Sequence, residues 1–127
     1  MSATNKIVRM QEPGGKQCVA VNEAVALLRD KWTVLVLGAL THAESLRYNE
    51  LQRTVAGISQ RMLTLTLKTL EENGLVKRTF LATIPPRVDY ELTPMGRSLG
   101  APLKGLLDWS MRNSGAMAEA RRAYART

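Results

Sequence analysis

The sequence has few of the residues from which metal sites, disulfides and many catalytic centres are built. Its 127 residues contain a single cysteine, Cys18, and a single histidine, His42. One cysteine cannot form an internal disulfide, and these two residues are too few for a zinc site. No phosphate-cradling glycine loop, paired carboxylates or nucleophile–histidine arrangement is recognisable. The sequence therefore predicts no metal and no other cofactor, and an enzyme is the weakest of the functional classes.

Long apolar runs are also absent. The longest one, Val34 to Leu40, is far too short to span a bilayer. The N-terminal residues "MSATNKIVRMQEPGG" lack the apolar centre of a secretory signal, so we expect a cytoplasmic protein. An apolar fraction of 45% and a charged fraction of 23% indicate one globular domain. Residues 1–17 are polar and are predicted to form a flexible N-terminal arm.

Acidic residues are scarce in two parts of the chain. The whole sequence has 18 Lys and Arg against 11 Asp and Glu, a net charge of +7. No acid occurs from Leu51 to Leu70 or from Asn73 to Val88. These windows hold Arg53, Arg61, Lys68, Lys77, Arg78 and Arg87. Such a concentration of positive charge indicates a polyanionic partner, although isolated charges can also simply solvate a packed surface.

Four helices are predicted in the first part of the chain. Asn22 is a good N-cap for a short amphipathic helix, and "KWTVLVLGAL", apolar nearly all round, follows as a buried helix. Residues 45–48 are a predicted connector, after which Asn49 caps a third helix. A short turn with a glycine leads to a fourth helix over residues 59–72, which stops at "NG". The last two helices are typical of a helix-turn-helix.

A hairpin and a long helix complete the predicted fold. Residues 75–92 alternate as two strands around "TIPP", and Thr93 then caps a helix that Pro102 should kink or split. The fold class is therefore mainly α with a small β-hairpin wing, a winged helix-turn-helix with extra terminal helices. Residues 18–112 are assigned to the winged-helix and dimerisation domain, and residues 113–127 to a C-terminal helical extension.

The helix over residues 59–72 is the predicted DNA reader. Leu67 and Leu70 lie within about 40° of Leu63 on a helical wheel, with the basic residues opposite. A helix-turn-helix places the start of its second helix in the major groove, where Arg can bind guanine and Gln adenine. The predicted base-contacting residues are Ser59, Gln60, Arg61 and Thr64, with Leu65 against a thymine methyl. The predicted phosphate or minor-groove contacts are Lys68, Arg78 and Arg87, while Lys77, Arg47 and Arg53 are weaker candidates.

Four segments together resemble the HxlR family of winged-helix, MarR-like transcriptional regulators. They are "DKWTVLVLGAL", "LRYNELQRTVAGISQRMLTLTLKTLEENGLVKR", "PPRVDYELTPMGRSL" and the late Trp109. The resemblance covers residues 18–110 and implies a homodimer, joined through its terminal helices, on a pseudo-palindromic operator in double-stranded DNA. It also implies a recognition helix from Ser59 and a wing at Pro85, Pro86 and Arg87. Leu65 departs from the family, whose members commonly carry a polar residue there.

The same resemblance draws attention to Cys18. Some family members sense oxidants or electrophiles through a cysteine at this distance before the tryptophan at position 32, although here "CV" replaces their usual "CP". Lys16 and a nearby helix start would favour the reactive thiolate. The alternative is an inert, half-buried thiol. Because no resolving cysteine exists, the oxidised form would be an intersubunit disulfide, a mixed disulfide or an adduct.

The leading hypothesis is a homodimeric, sequence-specific DNA-binding repressor whose activity is modulated at Cys18. A small-molecule effector bound between the core and the dimer helices is an alternative signal. A non-specific architectural or protein-interaction module is the alternative from another class. The concentrated basic charge opposes a purely protein partner, and the polar start of the recognition helix opposes mere coating of DNA.

Overall fold

A computed structural model describes residues 15–127, and most of the predicted N-terminal arm, residues 1–14, lies outside the described residues. The elements, in chain order, are α1 Lys16–Leu28, α2 Lys31–Thr41, β1 Leu46–Arg47, α3 Tyr48–Thr54, α4 Gln60–Glu72, β2 Val76–Leu81, β3 Arg87–Leu92 and α5 Pro94–Arg126. This order confirms the mainly helical fold with a β-hairpin wing. In the described chain, no helix combines the length and the apolar character needed to cross a membrane.

The core lies between α2, the helix-turn-helix and the sheet. Its fully buried side chains are Val36, Leu37, Leu40, Leu51, Leu63 and Leu70. Burying each leucine removes it from water and is worth about 1.5–3 kcal/mol. The predicted buried helix "KWTVLVLGAL" is indeed the central one, since α2 contributes three of these six residues.

Both ends of α4 follow the predicted signals. The Ser59 hydroxyl accepts a hydrogen bond from the Met62 N–H at 3.1 Å, which caps the helix start. Gly57 in the preceding turn has φ +85°. The helix ends at Asn73, and Gly74 has φ +73°, a conformation that costs glycine little.

The sheet has three strands rather than the two predicted. Residues 46–47, expected in a connector, form β1, which pairs antiparallel with β3, so the strand order is β1-β3-β2. Asn49 is not a cap, because α3 begins one residue earlier at Tyr48. Instead, the Arg47 N–H donates to the Glu50 carboxylate at 2.9 Å.

The terminal helices are longer than predicted. Helix α1 begins at Lys16, so the last residues of the predicted arm are helical and Asn22 lies inside the helix. Helix α5 is continuous from Pro94 to Arg126, so Pro102 does not split it and residues 113–126 prolong the same helix. Pro102 has no N–H to donate to the Ser98 carbonyl, and both residues are exposed. Water can therefore satisfy the carbonyl that a proline leaves free.

Candidate nucleic-acid interface

Helix α4 divides into a core face and an exposed face. Leu63, Thr66, Leu67 and Leu70 are buried. Of the residues predicted to contact DNA, Ser59, Gln60, Arg61, Thr64 and Lys68 are all exposed. Neither Arg61 nor Lys68 forms a salt bridge within the described residues. Their charges are therefore available to an anionic partner.

Leu65 lies on one flank of this exposed face. Its side chain is 47% exposed and lines a shallow groove between α4, the end of α1 and the start of α2. The groove is also lined by Ala26, Leu27, Asp30, Thr33, Met62, Thr66 and Thr69. Leu65 thus has apolar neighbours of its own chain, which the helical wheel did not predict.

Tyr48, on the opposite flank, is a residue that the sequence analysis missed. Its hydroxyl lies 2.8 Å from the Gln60 carbonyl oxygen and 2.8 Å from the Thr64 Oγ1. Tyr48 is the first residue of α3, so this contact ties the two helices of the helix-turn-helix together. A separation of 12 and 16 residues leaves no periodic signal, and only a tyrosine next to a predicted helix start could have suggested the contact.

The strand register places the basic residues of the wing on two faces. Arg78 is paired with Tyr90, whereas Lys77 is paired with Glu91 and Leu81 with Arg87. Directly paired residues share a face, so Arg78 and Arg87 lie on opposite faces of the hairpin. The sequence predicted a DNA contact for both without distinguishing these faces.

Arg87 is less free than the sequence indicated. Its Nε lies 3.4 Å from Asp89 Oδ1, and its side chain is 40% exposed. Both atoms are buried and lack a well-formed hydrogen bond in the described structure. Arg87 is therefore held by an imperfect ion pair with its own strand.

Arg47 and Arg53 join Arg87 around one polar hollow of about 440 Å³. The hollow lies between β1, α3 and the start of β3, and Ser45, Asn49, Glu50 and Asp89 complete its lining. The sequence analysis rated Arg47 and Arg53 as weak candidates and did not connect them with Arg87, because the three come from separate segments. Folding brings them together beside the first strand residues of β3 in the wing. Within residues 15–127, no cluster of side chains is suited to hold a metal ion.

Comparison with known proteins agrees with this geometry. Residues 27–118 match the family model described as HxlR-like helix-turn-helix. The HTH-type transcriptional regulator YtfH of Escherichia coli is 34% identical over 94 residues, which cover 74% of this chain and 73% of that protein. YtcD of Bacillus subtilis, also named an HTH-type transcriptional regulator, is 37% identical over 94 residues, covering 74% of each chain.

Solved structures of two regulators share the fold. The redox regulator HypR in its reduced form has a TM-score of 0.73 and 31% identity, covering 79% of this chain and 98% of its own. The transcriptional regulator YodB of Bacillus subtilis, in its reduced form, has a TM-score of 0.64 and 35% identity, covering 70% and 86%. HypR has also been solved in an oxidised form and YodB after diamide treatment.

Proposed function

The chain belongs to the HxlR-like helix-turn-helix family of transcriptional regulators, and from that premise we propose that it is a homodimeric, sequence-specific DNA-binding repressor. The observation that carries the proposal is the exposed face at the start of α4. Gln60, Arg61 and Thr64 lie there behind the Ser59 cap, on a helix whose other face is buried. Recognition helices of this class present these first residues to base edges in the major groove.

The proposed contacts divide by chemistry. Gln60 and Arg61 have side chains that bind adenine and guanine bidentately, and Lys68, two turns further along the helix, suits a backbone phosphate. On the wing, Arg78 and Arg87 are proposed to reach phosphate or the minor groove. Leu65 would touch a thymine methyl from the flank of the helix.

The terminal helices support the proposed homodimer. None of the residues of α1 is buried, and α5 buries only Gly96 and Leu103. The exposed apolar side chains on these helices are Val19, Val21, Val25, Met95, Leu106, Leu107, Trp109, Met111, Met117 and Tyr124. An apolar surface of this extent marks an interaction site, and a second copy of the same helices would cover it.

Selection from random-sequence duplex DNA tests the central proposal. The full-length protein is incubated with the library at moderate salt, and the retained DNA is sequenced after several rounds. We expect one enriched motif with two inverted half-sites about 34–36 Å apart, centre to centre. Binding to that motif should weaken steeply as salt rises. Retained DNA without an enriched motif would instead indicate a non-specific architectural module.

Cys18 is the proposed signal site. It is half-buried in the first turn of α1, the helix proposed to lie at the dimer interface. Oxidation or alkylation of its sulfur would therefore act on the packing between subunits. The redox regulator HypR has the same fold, which supports this proposal. DNA release by a mild oxidant such as diamide should be lost in Cys18→Ser. A serine variant that releases DNA as readily as the wild type would remove Cys18 as the sensor.

A cavity favours the small-molecule alternative as a second candidate. It measures about 610 Å³, lies between the end of α2 and α5, and has a mainly apolar lining that also includes His42, Arg97 and Lys104. The Lys104 ammonium group donates a hydrogen bond to Asp108 and lowers the pKa of that carboxyl. Arg97 would then provide a positive charge for an organic acid. If such an acid raises the melting temperature of Cys18→Ser and releases this variant from DNA, the result favours a small molecule as the signal.

A further inference from the structure

The hydroxyl of Tyr48 stands between two polar groups of the recognition helix. It lies 2.8 Å from the carbonyl oxygen of Gln60 and 2.8 Å from Oγ1 of Thr64. Gln60 and Thr64 are one helical turn apart, and both are exposed on the face proposed to read DNA. Tyr48 is itself half-buried as the first residue of α3, so its ring is held by the fold.

Counting protons gives these two contacts a direction. A carbonyl oxygen can only accept, and a tyrosine hydroxyl has one proton to donate. The Tyr48 hydroxyl therefore donates to the Gln60 carbonyl, and the Thr64 hydroxyl must donate to Tyr48 for the second contact to be a hydrogen bond. The reverse arrangement would leave two oxygen lone pairs facing each other at 2.8 Å, between the Tyr48 hydroxyl and the Gln60 carbonyl.

We propose that Tyr48 is a positioning residue that makes Thr64 an acceptor only, and thereby selects the base that Thr64 contacts. A free threonine hydroxyl rotates to donate or to accept, so it tolerates either kind of base edge. With its proton committed to Tyr48, Thr64 Oγ1 keeps only lone pairs for the DNA. The inference rests on the proposed DNA-binding function and adds a specificity rule to it.

This rule predicts a base preference, because the bases present different donors and acceptors in the major groove. Adenine N6 and cytosine N4 carry amino groups that donate, whereas guanine O6 and N7 and thymine O4 only accept. An acceptor-only threonine therefore favours adenine or cytosine at the base it faces and disfavours guanine or thymine. Loss of the Tyr48 hydroxyl should remove this preference, because Thr64 could then donate as well.

The test compares Tyr48→Phe with the wild-type protein on the selected motif and its single-base variants. For the wild type we expect a position where adenine or cytosine is bound at least about fivefold more tightly than guanine or thymine. Tyr48→Phe should reduce that ratio to about twofold or less while leaving the ratios at other positions unchanged. Thr64→Val should flatten the same position, and Thr127→Val, at an exposed threonine after α5, should change none.

A measurement without DNA separates this inference from the proposed function. Three-bond couplings to the Thr64 γ-methyl carbon report whether its side chain holds one χ1 rotamer. We expect one χ1 rotamer of Thr64 in the wild type and averaging between rotamers in Tyr48→Phe. The two proteins should have the same circular dichroism spectrum, which shows that both are folded. An averaged Thr64 in the wild type, or an unchanged base profile in a folded Tyr48→Phe, overturns the inference and leaves the DNA-binding proposal intact. A wild type without any sequence preference overturns both.

Discussion

At the scale of single residues, Arg61 and Lys68 carry the same charge on the same helix but have different proposed roles. Arg61 lies in the first turn of α4, where base edges are nearest, and Lys68 lies two turns later. Arg61→Ala should therefore relax preference at one base pair, at a cost of about 1–3 kcal/mol on the best site. Lys68→Ala should weaken all sequences alike and lower the salt slope by about one unit.

Titrations of the selected motif and of random duplex over a range of salt distinguish these effects. Arg121→Ala is the matched control, since Arg121 is an exposed arginine near the far end of α5. Equal effects of Arg61→Ala and Lys68→Ala on both duplexes would contradict the assigned roles.

The ion pair between Arg87 and Asp89 leads to a prediction of increased affinity. Asp89 holds Arg87 at 3.4 Å and adds a negative charge beside the proposed DNA contact. Asp89→Asn should free the guanidinium, so binding to any duplex should tighten about two- to fivefold and the salt slope should steepen by up to about one unit. The measurement is fluorescence anisotropy with specific and random duplex.

Glu91→Gln provides the control for that variant. Glu91 lies on the same face of β3 as Asp89 but further from the tip of the wing, and it faces Lys77 across the sheet. It should change affinity less than Asp89→Asn. An unchanged or weaker affinity of Asp89→Asn would show that Arg87 does not reach the DNA.

At the scale of elements, strong local patterns were predictable and weak ones were not. Ser59 and Thr93 accept hydrogen bonds from backbone N–H groups at the starts of α4 and α5, and Gly74 has a positive φ just after α4. These features depend on neighbouring residues only, so the sequence predicted them correctly. Strand β1 has two residues, too few to show an alternating pattern, and its pairing with β3 spans 42 or more positions. The Tyr48 contact and the three-arginine hollow were unpredictable for the same reason, because distant segments create them.

The junction between the wing and α5 depends on a close approach at Gly96. A Cβ at this position would overlap the carbonyl oxygen of Leu75 and crowd the side chain of Leu92. Thr93 holds the same junction, since its hydroxyl donates to the Gly74 carbonyl and accepts from the Gly96 N–H at 3.0 Å. Gly96→Ala should therefore lower the free energy of unfolding by about 1–3 kcal/mol or more, because backbone must move.

Gly115→Ala is the matched control, because it lies on the same helix with no atom within 4 Å of an added Cβ. Alanine is the better helix former, so this variant should be neutral or more stable by up to about 1 kcal/mol. Urea unfolding of both variants and the wild type measures the difference. A Gly96→Ala protein as stable as Gly115→Ala would contradict the close packing at the junction.

At the scale of the whole molecule, the chain combines a packed core with terminal helices whose apolar side chains are largely exposed. The buried residues cluster around α2, α4 and the sheet, whereas α1 and most of α5 present apolar side chains outward. A 33-residue helix with so few buried residues gains little from its own chain. Helical stability in proteins comes mainly from packing an amphipathic face, so a partner is expected to supply it.

Charge placed on the uncovered surface should therefore separate the subunits without unfolding them. Met111 is 81% exposed in the isolated chain, so Met111→Glu costs the monomer little but would bury an unpaired carboxylate twice in a symmetric dimer. We expect the dimer dissociation constant, measured by sedimentation equilibrium, to rise at least about a hundredfold. Ile84→Glu, which charges the fully exposed wing tip, should leave the dimer dissociation constant unchanged.

DNA affinity should fall when the dimer dissociates, since the two half-sites are bound together. A wild type that stays monomeric at micromolar concentration would contradict the proposed homodimer, whereas a Met111→Glu protein that stays dimeric would place the subunit contact elsewhere.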